Sequence, residues 1–223
     1  MQEPVASLLP EATGAPSPAA PADSDATDAS KGERTRAALL AAATRRFALD
    51  GFQRTSVSDV ARDVGVTAGA PYRYFADKEA LFLAAVDADG AELIDLVRVS
   101  VFGQLGGPIS ALLGRLADQL GAALDRHPLV ARVLSGAEPM GPARILALPN
   151  LATLRGEITA LLRVGQEAGV VRASVDPAVL ALAIETTVLY QLAYIATLRG
   201  TGSGPDEDRW AAMAALVEAA LAP

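Results

Sequence analysis

Cysteine is absent from all 223 residues, so the chain forms no disulfide, offers no thiol nucleophile and holds no cysteine-ligated zinc. Histidine occurs once, at His127, and no partner acid or second ligand stands at a usable spacing around it. Aromatic residues make up only 4% of the chain, and Ala and Leu dominate over Val and Ile. That balance favours closely packed helices over sheets and predicts an all-α protein. No Lys or Arg precedes Lys31, and no apolar run of signal-peptide length stands there, which predicts a cytoplasmic protein. No catalytic residue, metal or cofactor is expected, and an enzyme is not predicted.

Base is also scarce. The net charge is −7, at first sight a poor match to nucleic acid, whose phosphates demand Lys and Arg. Its distribution says otherwise. Residues 1–30 hold five acids and no base, residues 31–80 nine bases and six acids, and residues 81–223 ten bases and fifteen acids. The only net-basic segment is therefore 31–80.

Residues 1–30 are rich in Ala and Pro, lack aromatics and show no periodicity, which predicts a disordered leader that the chain from Lys31 onward does not need in order to fold. From Thr35 the pattern turns helical, with Leu39, Ala43 and Phe47 on one stripe and Gly51 as the stop. A second helix is announced by Ser56 as N-cap with Asp59 three residues on, and Val57, Val60, Ala61 and Val64 form its apolar face. Gly65-Val66 is a minimal turn, after which Thr67 is expected to cap a short third helix with Pro71 in or beside its first turn. Two helices joined this tightly cross steeply, as in a helix-turn-helix. Asp77 then caps a helix running through Leu81, Phe82, Ala85 and Val86.

The remainder, 81–223, reads as helices divided by Gly and Pro: Pro108 to Arg126, Leu129 to Leu134, Asn150 to Ala168, Pro177 to Leu198 and about Asp206 to Leu221. Asp206-Glu207-Asp208 suits an exposed first turn better than a metal site. The stretch Val179 to Leu198 approaches membrane-spanning length, but Glu185, Thr186, Thr187 and Gln191 interrupt it, so a buried bundle helix is predicted and no membrane partner.

The series Phe47, Gly51, Phe52, Thr55, Ser56, Val57, Asp59, Val60, Ala61, Gly65, Val66, Gly69, Tyr72, Tyr74, Phe75, Lys78, Glu79, Ala80 and Leu81 resembles the TetR family of transcription regulators. The resemblance implies a three-helix DNA-binding module at 31–80 joined to a larger effector-binding and dimerisation domain at 81–223. It implies phosphate contacts from Thr55, Ser56, Ser58, Tyr72, Tyr74 and Lys78, with Arg34, Arg36 and Arg45 as lesser candidates. It further implies that Thr67, Ala68, Gly69 and Ala70 face base edges. That stretch is nearly bare of donors, and Arg73 is the one long donor nearby, so DNA shape should share in the reading.

The family's last two long helices pair with their symmetry mates, which implies a homodimer, a near-palindromic operator in double-stranded DNA, and an interface including Leu189, Tyr190, Leu192, Tyr194, Trp210, Met213 and Val217. The resemblance also implies an effector cavity among the later helices, and composition suggests Phe102, Leu105, Leu112, Leu116, Leu154, Ile158 and Leu161 as its lining. An aliphatic lining favours a small apolar, acyl-like effector over a stacked aromatic cation. The expected function is a ligand-responsive repressor. A regulator or activator without an effector, and a helix-turn-helix that binds protein, are the alternatives.

Overall fold

The computed structural model describes residues 24–103, 109–198 and 207–222. The leader through residue 23, Leu105 and Asp206 lie outside them. The described residues are helical and contain no strand. In chain order the helices are α1 (Ser24–Arg54), α2 (Val57–Val64), a 3-10 helix (Ala70–Arg73), α3 (Lys78–Asp89), α4 (Ala91–Phe102), α5 (Ile109–Leu124), α6 (Pro128–Leu134), α7 (Pro142–Leu146), α8 (Pro149–Glu167), α9 (Pro177–Leu198) and α10 (Glu207–Leu221).

Helix α1 begins at Ser24, so the last seven residues of the expected disordered leader, 24–30, are helical. At its other end Gly51 takes φ 81° and ψ 169°, a left-sided conformation that breaks the helix and turns Phe52 inward. The predicted stripe is the one buried: Leu39, Ala43 and Phe47 are fully covered, with Ala42 beside them. They pack on Val57 and Val60 of α2 and on Leu81, Phe82, Ala85 and Val86 of α3. Phe82 anchors this core, with the rings of Phe47 and Phe52 each 5.0 Å away in edge-on or steeply tilted contact.

The expected boundary between residues 80 and 81 falls within α3, which runs unbroken from Lys78 to Asp89. Nor does the apolar core stop there. Leu129 and Val133 of α6 and Leu148 join the cluster formed by α1, α2 and α3, so the N-terminal module and the body share one core. A second cluster collects α5, α9 and α10 around Leu116, Leu120, Leu192, Trp210 and Met213. A third, smaller one holds Leu162 of α8 against Leu180 and Ala181 of α9.

The end of α3 fastens the body helices. Asp89 accepts a hydrogen bond from Val130 N (3.0 Å) in the first turn of α6, and Asp87 accepts one from Asn150 N (3.0 Å) in the first turn of α8. Each carboxylate satisfies a backbone donor that its helix start leaves without an internal partner. The Asn150 side-chain amide adds a second bond to Asp87 at 3.0 Å.

Candidate functional site

In the helix-turn-helix, Ser56 caps α2: its hydroxyl accepts from Asp59 N at 3.1 Å and donates to the Asp59 carboxylate at 2.7 Å. That hydroxyl, with Arg62 beside it, holds the Asp59 carboxyl below its ordinary range. Gly65 closes α2 at φ 74°, and Val66 N returns to Ala61 O at 3.0 Å. This makes the tight turn the sequence predicts. Arg46 of α1 then clamps α2 through a two-pronged ion pair with Asp63, at 2.5 and 2.8 Å. The pair holds the Asp63 carboxyl low.

The third element departs from expectation. Thr67 does not cap a helix with its side chain; its carbonyl accepts from Ala70 N (2.9 Å), and the ordered element is the 3-10 helix Ala70–Arg73. Pro71 supplies the reason. Placed at the start of this element, it needs no donor of its own, and it is buried against the core. Thr67, Ala68 and Gly69 are exposed on the turn, and Tyr72 and Arg73 project from the 3-10 helix, Tyr72 with 55% of its surface open.

The expected phosphate contacts divide. Ser58 is exposed at the start of α2 together with Ser56, beside backbone donors not used within the helix. Thr55 is a correction: it is only 2% exposed, and its hydroxyl donates to Gly51 O at 2.9 Å, closing the break in α1. Tyr74 is half-buried on the core. Lys78 is half-buried too, its ammonium 4.4 Å from the Phe52 ring centroid and 3.4 Å from Gln53 O. Both Tyr74 and Lys78 keep part of their surface open. Phe75 is core, with the Arg36 guanidinium 5.4 Å from its ring centroid.

Below this module lies a cavity of about 590 Å³, walled by α3 to α10. Leu112, Leu116, Leu154, Ile158 and Leu161 all line it. Phe102 does not: it is exposed at the end of α4. The lining also includes Leu189, Leu192 and Val217, expected at a dimer interface. Leu192, Trp210 and Met213 are buried in the protomer's own core, and Tyr194 is covered by Arg209, whose guanidinium carbon lies 3.6 Å from its ring centroid. Of the expected interface residues only Tyr190 is largely exposed, at 65%; Val179 and Leu182 share its face of α9 by helical spacing, and Leu216 of α10 is exposed as well. The apolar period of α9 was legible; which side of it faces its own bundle was not.

Three groups escaped the sequence reading because their partners are distant in the chain. Arg155 and Glu185, 30 residues apart, pair at 2.7 Å in the mostly apolar cavity wall. His127 lies between two acids, with Asp89 at 3.3 Å and Glu92 at 3.1 Å, where the sequence offered no partner at close spacing. Glu138, buried, accepts from Phe52 N at 2.9 Å and pairs with Arg132 of α6, so a carboxylate of the body caps the broken end of α1. Among the described residues, no cluster of three or more His, Cys, Asp or Glu has a metal-binding arrangement.

Residues 39–85 match the model of a family described as bacterial regulatory proteins, tetR family. An HTH-type transcriptional repressor of Mycobacterium tuberculosis is 34% identical over 123 residues, 55% of this chain and 57% of that protein. The match thus spans little more than half the length of the curated relative. A tetR-family transcriptional regulator from Mesorhizobium loti superimposes with a TM-score of 0.59 at 20% identity, over 86% of this chain and 99% of its own. FadR of Thermus thermophilus, a TetR-family transcriptional repressor in complex with lauroyl-CoA, does so with a TM-score of 0.60 at 21% identity, over 83% of this chain and 94% of its own. At those identities the two structures establish a common fold.

Proposed function

Because the chain is a tetR-family regulator with a DNA-binding helix-turn-helix, we propose that it works as a homodimeric, ligand-responsive repressor. It sits on a near-palindromic operator and leaves when a small apolar effector fills the cavity. The observation that carries this reading is the cavity of about 590 Å³ at the far end of α3 from the DNA-binding surface. Its volume is that of a small-molecule site, and its wall is overwhelmingly aliphatic. The lauroyl-CoA complex of FadR gives an apolar acyl ligand a precedent on this fold.

Helix α3 links the two ends mechanically. Lys78 and the DNA-facing turn stand at its start; Val86 and Asp87 line the cavity near its finish. A helix of this length spans about 17 Å and moves as a rod. Asp87 and Asp89 tie its end to α8 and α6, both of which also line the cavity, while Glu138 ties α6 to the end of α1. An effector that needs a wider cavity therefore tilts α3 and α1 together and changes the spacing of the two recognition turns. The operator favours one state and the effector the other, so each weakens binding of the other by the same factor.

The outward apolar face of α9 and α10 is the surface on which a second copy pairs. Helix α9 is long and apolar enough to cross a membrane, but Thr186 and Thr187 on this side make a protein partner a better cover than lipid. As proposed, the dimer works on DNA in the cytoplasm. The test is anisotropy of a labelled duplex from the region next to the chain's own gene, titrated with protein and then with a ten-carbon alkyl compound. Tight, salt-sensitive binding that reverses on addition of the compound supports the reading. Binding that no alkyl compound reverses favours a regulator without an effector, and absence of DNA binding favours a protein-interaction role.

A further inference from the structure

The cavity wall is polar at few points, and one of them is incomplete. Glu185 on α9 is only 8% exposed and lines the cavity. Its Oε2 accepts from Arg155 Nη1 at 2.7 Å, but its Oε1 is buried with no hydrogen-bond partner. Arg155 does not reach the second oxygen, since its Nη1 and Nη2 both also donate to Leu146 O at 3.2 Å. Neighbouring hydroxyls do not serve it either: Thr186 and Thr187 donate to Leu182 O and Ala183 O of their own helix at 2.7 and 2.8 Å. A carboxylate oxygen held dry and unpaired is costly, and on a residue that lines a cavity it is satisfied when the side chain turns toward a donor that enters.

Charge points the same way. Among the described residues the wall carries two carboxylates, Asp87 and Glu185, against the single guanidinium of Arg155. Asp87 is already engaged by Asn150, which leaves Glu185 Oε1 as the unsatisfied acceptor. A ligand ending in a carboxylate meets that oxygen with like charge and no proton to offer.

We propose that the effector is an apolar, chain-like molecule ending in a hydrogen-bond donor, a hydroxyl or an amine, which Glu185 Oε1 accepts from while aliphatic residues such as Leu116, Leu154 and Ile158 hold the body. This deepens the effector reading above and rests on it. Burial pushes the Glu185 carboxyl up and Arg155 draws it down, the burial effect being the larger. A donor arriving at Oε1 opposes the burial effect and stabilises the ionised pair.

The experiment is calorimetric titration of the full chain with decanol, decylamine and decanoate, repeated on Glu185→Gln. In the unmodified protein decanol or decylamine binds about tenfold tighter than decanoate, the worth of one hydrogen bond gained against one repulsion. The better of the two names the head: decanol a neutral hydroxyl, decylamine a cation. In Glu185→Gln the amide turns its oxygen to Arg155 and its NH₂ to the cavity, so decanoate gains and the order narrows or reverses. Decanoate binding the unmodified protein as well as the other two overturns the proposal, as does an unchanged order in the variant. The unmodified protein's order stands as a test even if the variant fails to fold. If all three bind alike and release operator, the donor preference falls and the effector reading survives. If none binds, both fall.

Discussion

Lys78 and Thr67 show how little of a side chain's task its position alone reveals. The ammonium of Lys78 lies over the Phe52 ring and near Gln53 O, so it is held in place before any phosphate arrives. A point charge of this kind contributes affinity without reading sequence. Lys78→Ala should weaken binding to operator and unrelated DNA alike and lower the salt slope by about one unit. Thr67, exposed on the turn, should act oppositely. Thr67→Ala should cost about 1–3 kcal/mol on operator alone if its hydroxyl meets a base. Anisotropy of both variants on both duplexes at several salt concentrations separates the two roles, and an unchanged discrimination in Thr67→Ala passes the reading to Arg73 or to DNA shape. Gly51 is a second residue with a sharp test. Its φ of 81° strains any side chain, and a Cβ there would stand 2.7 Å from Arg132 Nη2 and 2.8 Å from Glu138 Oε1. Gly51→Ala should therefore destabilise the fold by about 1–3 kcal/mol, seen as a lowered urea midpoint. The stop at Gly51 was legible in the sequence as a glycine after an apolar stripe. The carboxylate that occupies the space was not, because Glu138 lies 86 residues beyond the amide it accepts from.

Among the elements, those with a chemical start signal were readable. Asp176-Pro177 and the apolar run behind it set the opening of α9, and Asp176 accepts from Ala178 N at 2.7 Å as an N-cap does. Helix α4 carries no such mark: Gly90 serves as the last cap of α3 and the first of α4, and contributes no side-chain bond. Pro71 shortened the third element to a 3-10 helix because an α-helix starting at Thr67 would have needed its N–H soon afterwards. The ties between elements are absent from spacing altogether, and Asp89 is the one to test. By accepting from Val130 N it fastens α3 to α6, and beside it His127 sits between Asp89 and Glu92. Asp89→Ala removes a helix-start acceptor worth about 1 kcal/mol, so the melting temperature should fall by about 2–4 °C. The larger change should be in coupling: operator binding persists within a few fold, but an alkyl ligand that releases the unmodified protein releases the variant poorly. Equal release by both would show that α6 does not carry the signal.

At the scale of the whole molecule the unfinished surface is the informative part. Val179, Leu182, Tyr190 and Leu216 stand outward on α9 and α10 while Leu192, Trp210 and Met213 of the same helices close the protomer's own core. The dimer test must therefore use the outer set. Tyr190→Glu combined with Leu216→Glu should give a folded monomer by sedimentation, with unchanged helical content and operator binding reduced by at least about tenfold. A dimer that survives both charges would move the interface elsewhere. Substituting Leu192 instead would damage the interior and say nothing about assembly. The exposed apolar face also bears on how the cell meters this protein. If only pairs grip the operator, occupancy at low expression rises with the square of the number of chains made. Halving the gene dose then loosens repression more than proportionally, and the first copies translated after cell division do little until they find each other.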